Sequence, residues 1–190
     1  RRDLWYIIEA VLTGIKNRKP FADPLARLGW YILLATVPAG LLGLLIKDTV
    51  EAAFSSPRVT AFFLLGTALL LVLAERIGKR SRDLADLTWK DALWIGTFQA
   101  LALFPGISRS GATISGGMLR HIDRKSAGRF SFLMMIPVML AAGFLSLFDL
   151  FDVPDLSSFL PSMLTGFIAS ALVGYLAIHW LLQFLARRPL

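Results

Sequence analysis

Long apolar runs constrain this chain more than any other feature of its sequence. Four segments are rich in Leu, Ala, Phe and Val and hold few charged residues: 30–46, 58–77, 130–148 and 159–185. About 20 apolar residues suffice to cross a bilayer as a helix, the structure that satisfies backbone polar groups within one segment in lipid. The sequence therefore predicts an all-α polytopic membrane protein, with residues 1–190 as a single integral membrane domain. We expect residues 1–28 to hold a helix and a loop broken at Pro20 and Pro24, and residues 47–57 to be a polar connection.

The distribution of charge and of cysteine excludes other classes of protein. The chain has a net charge of +7, but its Lys and Arg residues lie at the ends of apolar runs, as the positive-inside rule predicts. The partner that this pattern indicates is a lipid bilayer, and no nucleic-acid partner is expected. There is no cysteine, which excludes disulfides and thiolate metal sites. His121 and His179 are far apart, so no metal site is predicted within the chain.

Residues 89–121 differ from the four spans because the string PGISRSG interrupts them. We expect one helix over 89–104 and a second over 110–121, about 24 Å and 18 Å long at 1.5 Å per residue. Both are shorter than the hydrocarbon core of a bilayer, which is about 30 Å thick. Basic segments flank 89–121 on both sides, which puts both ends in the cytoplasm. The region is therefore predicted to be a re-entrant helix pair, with two short full spans as the alternative.

The loop between these two helices gathers groups that bind anions. Glycines allow close approach of the backbone to a ligand, and the start of the second helix presents N–H groups and the positive end of its dipole. Arg109 carries a planar guanidinium that matches phosphate oxygens. Gln99 would lie near the loop, either in the site or in a hydrogen bond between helices. The predicted phosphate-binding residues are Gln99, Gly106, Ser108, Arg109, Ser110, Gly111 and Thr113.

Arg109, Ser108 and Ser110 are the catalytic candidates, because the arginine stabilises phosphate charge and a serine hydroxyl is a potential nucleophile. No carboxylate lies between Asp91 and Asp123, although metal-assisted phosphate hydrolysis uses carboxylates to hold the ion and to activate water. The loop therefore offers anion binding without an evident base. Two other readings remain open: a transporter that binds an anionic substrate at its broken helices, and a membrane scaffold.

The strings QALALFPG, ALFPGISRSGATISGGMLR and FSFLMMIPVML resemble the bacterial undecaprenyl pyrophosphate phosphatase family, also called bacitracin-resistance proteins. The resemblance runs over essentially all 190 residues. It implies a bacterial inner-membrane enzyme that hydrolyses undecaprenyl pyrophosphate to undecaprenyl phosphate and inorganic phosphate. That reaction recycles the lipid carrier for peptidoglycan synthesis and gives bacitracin resistance. The implied fold is an inverted-topology repeat with two re-entrant helix pairs, the second of which would place the pyrophosphate-binding arginine at Arg109.

The chain also departs from the pattern of the family that it resembles. The first re-entrant pair of that family carries an acidic motif and a histidine, and no segment here matches it. We expect that pair upstream of Arg1 and a final span downstream of Leu190, so that the chain is a fragment and is inactive alone. A divalent cation, Mg²⁺ or Ca²⁺, is expected with carboxylate ligands outside this chain. Undecaprenyl pyrophosphate and a second copy of the protein are the other expected partners.

Overall fold

A computed structural model describes residues 2–150 and 155–187 of the chain. Within those residues it contains eight α-helices and no β-strand, which confirms the all-α prediction. The helices are α1 Arg2–Lys16, α2 Pro24–Leu45, α3 Lys47–Phe54, α4 Pro57–Ile77, α5 Trp89–Leu101, α6 Arg109–Leu119, α7 Arg124–Asp149 and α8 Leu156–Arg187. Helices α2, α4, α7 and α8 are long and apolar enough to cross a membrane, as a polytopic membrane protein requires.

The chain divides into two compact units, Arg1–Ala141 and Ala142–Leu190. The first unit contains α1 to α6 and the beginning of α7, and it holds the predicted phosphate-binding residues. The second unit contains the end of α7 and all of α8. Asp152 and Arg188, two charged residues near the predicted ends of candidate spans, lie outside the described residues.

The core of the first unit lies where α2 packs against α5. Buried apolar side chains from α2, α5, α6 and α7 form one cluster there, which includes Ile32, Ile95, Met118 and Phe130. The two helices approach closely because Gly96 has no side chain: a Cβ at this position would lie 2.4 Å from the carbonyl oxygen of Ala35. This contact holds α5 against α2, which is a candidate membrane span. Helix α5 leads directly into the loop that contains the PGISRSG string.

Large apolar side chains cover the outer faces of the candidate spans. Leu45, Phe62 and Leu65 are among many that are more than two-thirds exposed. Contiguous apolar surfaces of this size are rare on soluble monomers and are typical of surfaces that meet lipid. The first unit is therefore packed around α2 and α5 and apolar on its outside.

Within the predicted polar connection 47–57, residues 47–54 form helix α3. Two expectations about local structure were wrong. Pro24 begins α2 instead of breaking a loop, because a proline at the first helical position lacks only an N–H that would have no partner there, and the Asp23 side chain caps the helix at 2.7 Å from the Leu25 nitrogen. Helix α5 ends at Leu101 and not at 104, because Pro105 disfavours helical backbone in the residue before it.

Candidate functional site

The motif region is a helical hairpin in which α5 and α6 pack against each other. Residues 102–108, here called the motif loop, connect the two helices. At 13 and 11 residues, α5 and α6 are about 20 Å and 17 Å long, too short to cross a hydrocarbon core of about 30 Å. This geometry is what the prediction of a re-entrant pair requires.

Gly106 gives the motif loop its shape. Its φ of +92° lies in the left-handed region that side-chain-bearing residues rarely adopt. A Cβ there would lie 2.2 Å from the carbonyl oxygen of Thr60 on α4, so any larger residue would collide with backbone. Phe104 also packs on α4, with its ring centroid 5.2 Å from that of Phe63. The motif loop therefore packs against α4.

Ser108 is the N-cap residue of α6. Its Oγ accepts a hydrogen bond from the Gly111 nitrogen at 3.1 Å, and its carbonyl accepts one from Ala112 at 2.8 Å. The N–H groups of Arg109 and Ser110 have no partner within the described residues and belong to the first turn, where the helix dipole is positive. Two amides at the start of α6 are therefore free for an anion.

Arg109 is the first residue of α6. Its Nη1 is buried, and no group in the described part of the chain accepts a hydrogen bond from it. A buried guanidinium nitrogen without an acceptor is costly, since the loss of its water is not compensated by a protein group. A phosphate oxygen would supply the missing acceptor. Arg109 therefore has a buried N–H group without an acceptor at the start of α6, and phosphate binding there stays a prediction.

The three predicted hydroxyl groups lie in different environments. Ser108 Oγ and Ser110 Oγ are 3.4 Å apart, and both residues retain exposed surface. Thr113 is fully buried, and its Oγ1 lies 2.6 Å from Ser131 Oγ on α7 and 2.8 Å from the Arg109 carbonyl oxygen. The two serines can therefore reach a ligand, whereas the Thr113 hydroxyl is used to join the first turn of α6 to α7.

Gln99 is only 2% exposed, and both its Oε1 and its Nε2 lack a hydrogen-bond partner among the described residues. Ser115 on α6 is also fully buried with an unpaired Oγ. The hydrogen bond between helices considered for Gln99 is thus absent from the described residues. Gln99 keeps a donor and an acceptor available for a ligand or for water. Ser115, which sequence reasoning missed, has no signal in the sequence because buried serines are common in small-residue helices.

A second missed residue, Thr67 on α4, contacts the motif loop directly. Its Oγ1 accepts a hydrogen bond from the Ser108 nitrogen at 3.2 Å and lies 3.4 Å from the Gly106 carbonyl oxygen. Its methyl carbon is 3.1 Å from the position that a Cβ on Gly111 would occupy. Within an apolar span, a lone threonine gives no sign that it bonds a loop about 40 residues away.

A buried carboxylate closes the other end of the hairpin. Asp91 has no exposed surface and receives Arg82 Nη2 at 2.5 Å, Arg120 Nε at 2.7 Å and Thr88 Oγ1 at 2.7 Å. These four residues, here called the base cluster, tie the start of α5 to the end of α6. The hydrogen bond to Asp91 is the main reason that the pKa of Arg82 lies above its ordinary value. Asp91 is therefore structural.

The backbone reinforces the base cluster. The Arg82 nitrogen donates to the His121 carbonyl at 3.1 Å, and the Asp123 nitrogen donates to the Arg82 carbonyl at 2.8 Å. Nearby, Glu75 pairs with Arg80 and Arg124, and not with its neighbour Arg76. The carboxylates of Asp91 and Glu75 are thus paired with arginines, and that of Asp123 accepts from the amides at the start of α7.

The residues present do not fit a metal site of their own. Over residues 2–150 and 155–187, no group of three or more His, Asp or Glu side chains is placed to hold an ion. A divalent cation at the motif loop would need further carboxylate ligands.

Comparisons with known proteins give a consistent result. A family model described as "Bacitracin resistance protein BacA" matches residues 1–190. The chain is 43% identical over 189 residues to a protein named undecaprenyl-diphosphatase 1 from Corynebacterium jeikeium (strain K411), covering 97% of this chain and 66% of that protein. It is 44% identical over 191 residues to an undecaprenyl-diphosphatase from Anaeromyxobacter dehalogenans (strain 2CP-1 / ATCC BAA-258), covering 99% and 64%.

A third relative is named undecaprenyl-diphosphatase and comes from Methanobrevibacter smithii (strain ATCC 35061 / DSM 861 / OCM 144 / PS). It is 40% identical over 198 residues, which cover all of this chain and 71% of that protein. The chain thus spans about two thirds of the length of the curated relatives that it matches.

Proposed function

This chain belongs to the bacitracin resistance protein BacA family, as its resemblance to those proteins implied, and on that premise we propose that it binds and helps to hydrolyse undecaprenyl pyrophosphate. The products are undecaprenyl phosphate and inorganic phosphate, and the reaction returns the lipid carrier to peptidoglycan synthesis and gives bacitracin resistance. The observation that carries the proposal is the buried Nη1 of Arg109, which lacks an acceptor at the first turn of α6.

The site supports phosphoryl transfer through charge stabilisation. The reaction forms a bond from an attacking oxygen to the terminal phosphorus and breaks the bond from that phosphorus to the bridging oxygen. Negative charge is then spread over the phosphoryl oxygens and the leaving lipid phosphate. The guanidinium of Arg109 and the N–H groups of Arg109 and Ser110 supply fixed positive groups at the place where this charge develops. The terminal phosphate is thus expected to lie over the first turn of α6.

Ser108 and Ser110 are the two candidate nucleophiles, and a water molecule is the alternative. If a serine attacks, its proton must leave and the phosphoserine must then be hydrolysed by water; if water attacks, the serines orient it. Ser108 Oγ already accepts from Gly111, which leaves its O–H free to donate. Ser110 Oγ is the less engaged of the two hydroxyls and is the stronger nucleophile candidate.

The cellular location, the cation, the oligomeric state and the internal repeat are proposed together with this reaction. We assign the protein to the bacterial inner membrane, where its lipid substrate is found. The divalent cation, Mg²⁺ or Ca²⁺, remains a proposal, with carboxylate ligands that the described residues do not contribute. A homodimer and the inverted-topology repeat also remain proposals.

Replacement of Arg109 in the full-length protein tests the function. Arg109→Lys keeps the charge but loses the two-pronged geometry that fits a phosphate, so it should lower phosphate release from a polyprenyl pyrophosphate nearly as much as Arg109→Ala. The expected loss is about 10²–10³-fold. The exposed Arg76→Lys, which makes the same exchange outside the site, should keep the wild-type rate.

Two results would overturn the proposal. Wild-type protein that releases no phosphate but accumulates a radiolabelled anion in vesicles would identify a transporter. Normal turnover by Arg109→Lys and Arg109→Ala would remove Arg109 from the chemistry.

A further inference from the structure

We propose that Thr67 is a positioning residue that sets where α6 begins and hence where Arg109 lies. The inference rests on the proposed function, because a positioning role is defined by the reaction at Arg109. The residue lies in the middle of candidate span α4 and is 7% exposed. Its side-chain hydroxyl forms hydrogen bonds with backbone atoms of the motif loop, about 40 residues away in the sequence.

The hydrogen bond from Ser108 fixes the N-cap. A backbone N–H can only donate, so at 3.2 Å the Thr67 Oγ1 is the acceptor. The single proton of the hydroxyl is then directed to the carbonyl of Phe63 at 3.1 Å or of Gly106 at 3.4 Å. The hydroxyl is thus fully used, and the position of Ser108 relative to α4 is determined.

The rest of α4 can hold the motif loop against its surface but cannot choose this register. The ring of Phe63 packs against the ring of Phe104, and the Thr60 carbonyl lies beside Gly106. Neither contact involves Ser108. Ser108 caps α6 and is followed at once by Arg109. A shift of the cap therefore moves the guanidinium, and a misplacement of about 1 Å in a catalytic geometry can cost about 10²-fold in rate.

Two substitutions separate the hydroxyl of Thr67 from its methyl group. Thr67→Val keeps the methyl beside Gly111 and the shape of the side chain but removes the acceptor. Thr67→Ser keeps the acceptor and removes the methyl. Thr97 provides the matched control, because it is exposed and its hydroxyl donates to the Trp94 carbonyl in its own helix at 2.7 Å.

Hydrogen–deuterium exchange of the full-length protein in nanodiscs gives a readout that does not depend on activity. With Thr67→Val the Ser108 amide has no acceptor, so exchange in the peptide covering 104–110 should rise about tenfold, the loss of roughly one net hydrogen bond. Thr67→Ser and Thr97→Val should exchange as the wild type does. Peptides from α2 and α5 report whether each variant is folded; if Thr67→Val is not, Thr67→Ala takes its place.

The kinetic arm asks whether the register matters for the reaction. Phosphate release by Thr67→Val should fall about 10- to 100-fold in kcat with a smaller change in KM, and Thr67→Ser should recover most of the rate. Unchanged exchange in Thr67→Val, or equal damage by Thr67→Ser and Thr67→Val, overturns the positioning role. Wild-type protein without phosphatase activity overturns the proposed function instead, and the exchange result still decides the contact.

Discussion

Neutralising Asp91 is the perturbation for which the structure gives the clearest magnitude. The carboxylate is fully buried and accepts hydrogen bonds from two arginines and from the nitrogen and hydroxyl of Thr88. Asp91→Asn keeps the size of the side chain but removes the charge and turns one acceptor oxygen into an NH₂ group. That group would face Arg82 whichever oxygen it replaces, together with Arg120 at Oδ1 or Thr88 at Oδ2, and an arginine cannot accept a hydrogen bond.

The expected loss follows from the burial of the partners. Removal of one member of a buried ion pair costs about 3–5 kcal/mol, because the remaining charge stays without a counterpart. Arg82 and Arg120 retain 27% and 44% exposed side-chain surface, so water replaces part of what the carboxylate supplied. We therefore expect the lower value, about 3 kcal/mol. At about 2–4 °C per kcal/mol for a chain of this size, the melting temperature should fall by about 6–12 °C.

Thermal unfolding in detergent, followed by tryptophan fluorescence, measures this change. Glu51→Gln is the matched control, since its side chain is 64% exposed and its carboxylate lies 3.8 Å from the amine of Lys47, which is 70% exposed. Exposed pairs of this kind contribute about 0–1 kcal/mol, so the control should melt within about 4 °C of the wild type.

A double variant tests the reason for the loss. If unpaired arginine charge is the cause, adding Arg120→Gln to Asp91→Asn should cost less than the sum of the two single changes, with a coupling of about 1 kcal/mol or more. An Asp91→Asn variant that melts like Glu51→Gln would refute the view that the base cluster holds the hairpin together. Strict additivity would refute the electrostatic explanation while leaving the stability loss itself in place.

Three further predictions concern other parts of the first unit. Single cysteines introduced at Lys79 and Lys125 should both be labelled by a membrane-impermeant reagent from the cytoplasmic side, and labelling from opposite sides would contradict a re-entrant hairpin. Asp123 accepts from the amides at the start of α7 and its pKa is lowered, chiefly by its hydrogen bonds with Ser126, so Asp123→Ala should cost about 1 kcal/mol near neutral pH. Because the folded-state pKa lies below the ordinary value, this contribution is fully present above about pH 3.8 and is lost as the pH falls through the lowered pKa. A stability difference that does not shrink as the pH falls below about 3.8 would contradict the cap. Gly106→Ala should abolish most phosphate release and lower the melting temperature, whereas Gly66→Ala, which has open space beside it, should do neither; equal effects of the two would show that the backbone of the motif loop is not constrained.

The sequence was informative where the determinant is local. The PG dipeptide predicts the break between α5 and α6, and the serine that precedes Arg109 has the residue type of an N-cap, which it proves to be. The errors at helix ends are of the same local kind. A proline such as Pro24 interrupts a helix at an interior position, but at the first position it is compatible with the start of a helix, as in α2.

The sequence was silent where the determinant is a contact between distant segments. In the sequence, Asp91 is a lone carboxylate before the motif, and only the fold shows that Arg82 and Arg120 surround it. Glu75 is adjacent to Arg76 in the sequence, whereas its ion-pair partners are Arg80 in the following loop and Arg124 at the start of α7. Thr67 and Ser131 are small hydroxyl residues in largely apolar helices, and nothing in the sequence distinguishes them from the other hydroxyl residues there. Periodicity reports which face of a helix is apolar, but it does not report which residue of another helix meets it.

The contacts of the hairpin with α2 and α4 also imply an order of events during biogenesis. The ribosome delivers α2 and α4 before α5 and α6, and each of these earlier helices is long enough to be inserted as a span by itself. The two shorter helices lack that length, so lipid alone does not retain them in the bilayer. They are held in place by the close contacts of Gly96 with α2 and of Gly106 with α4. The motif loop therefore takes its final form by docking onto a surface that was completed earlier in translation, and a defect in that surface would appear first as a failure of assembly in the membrane.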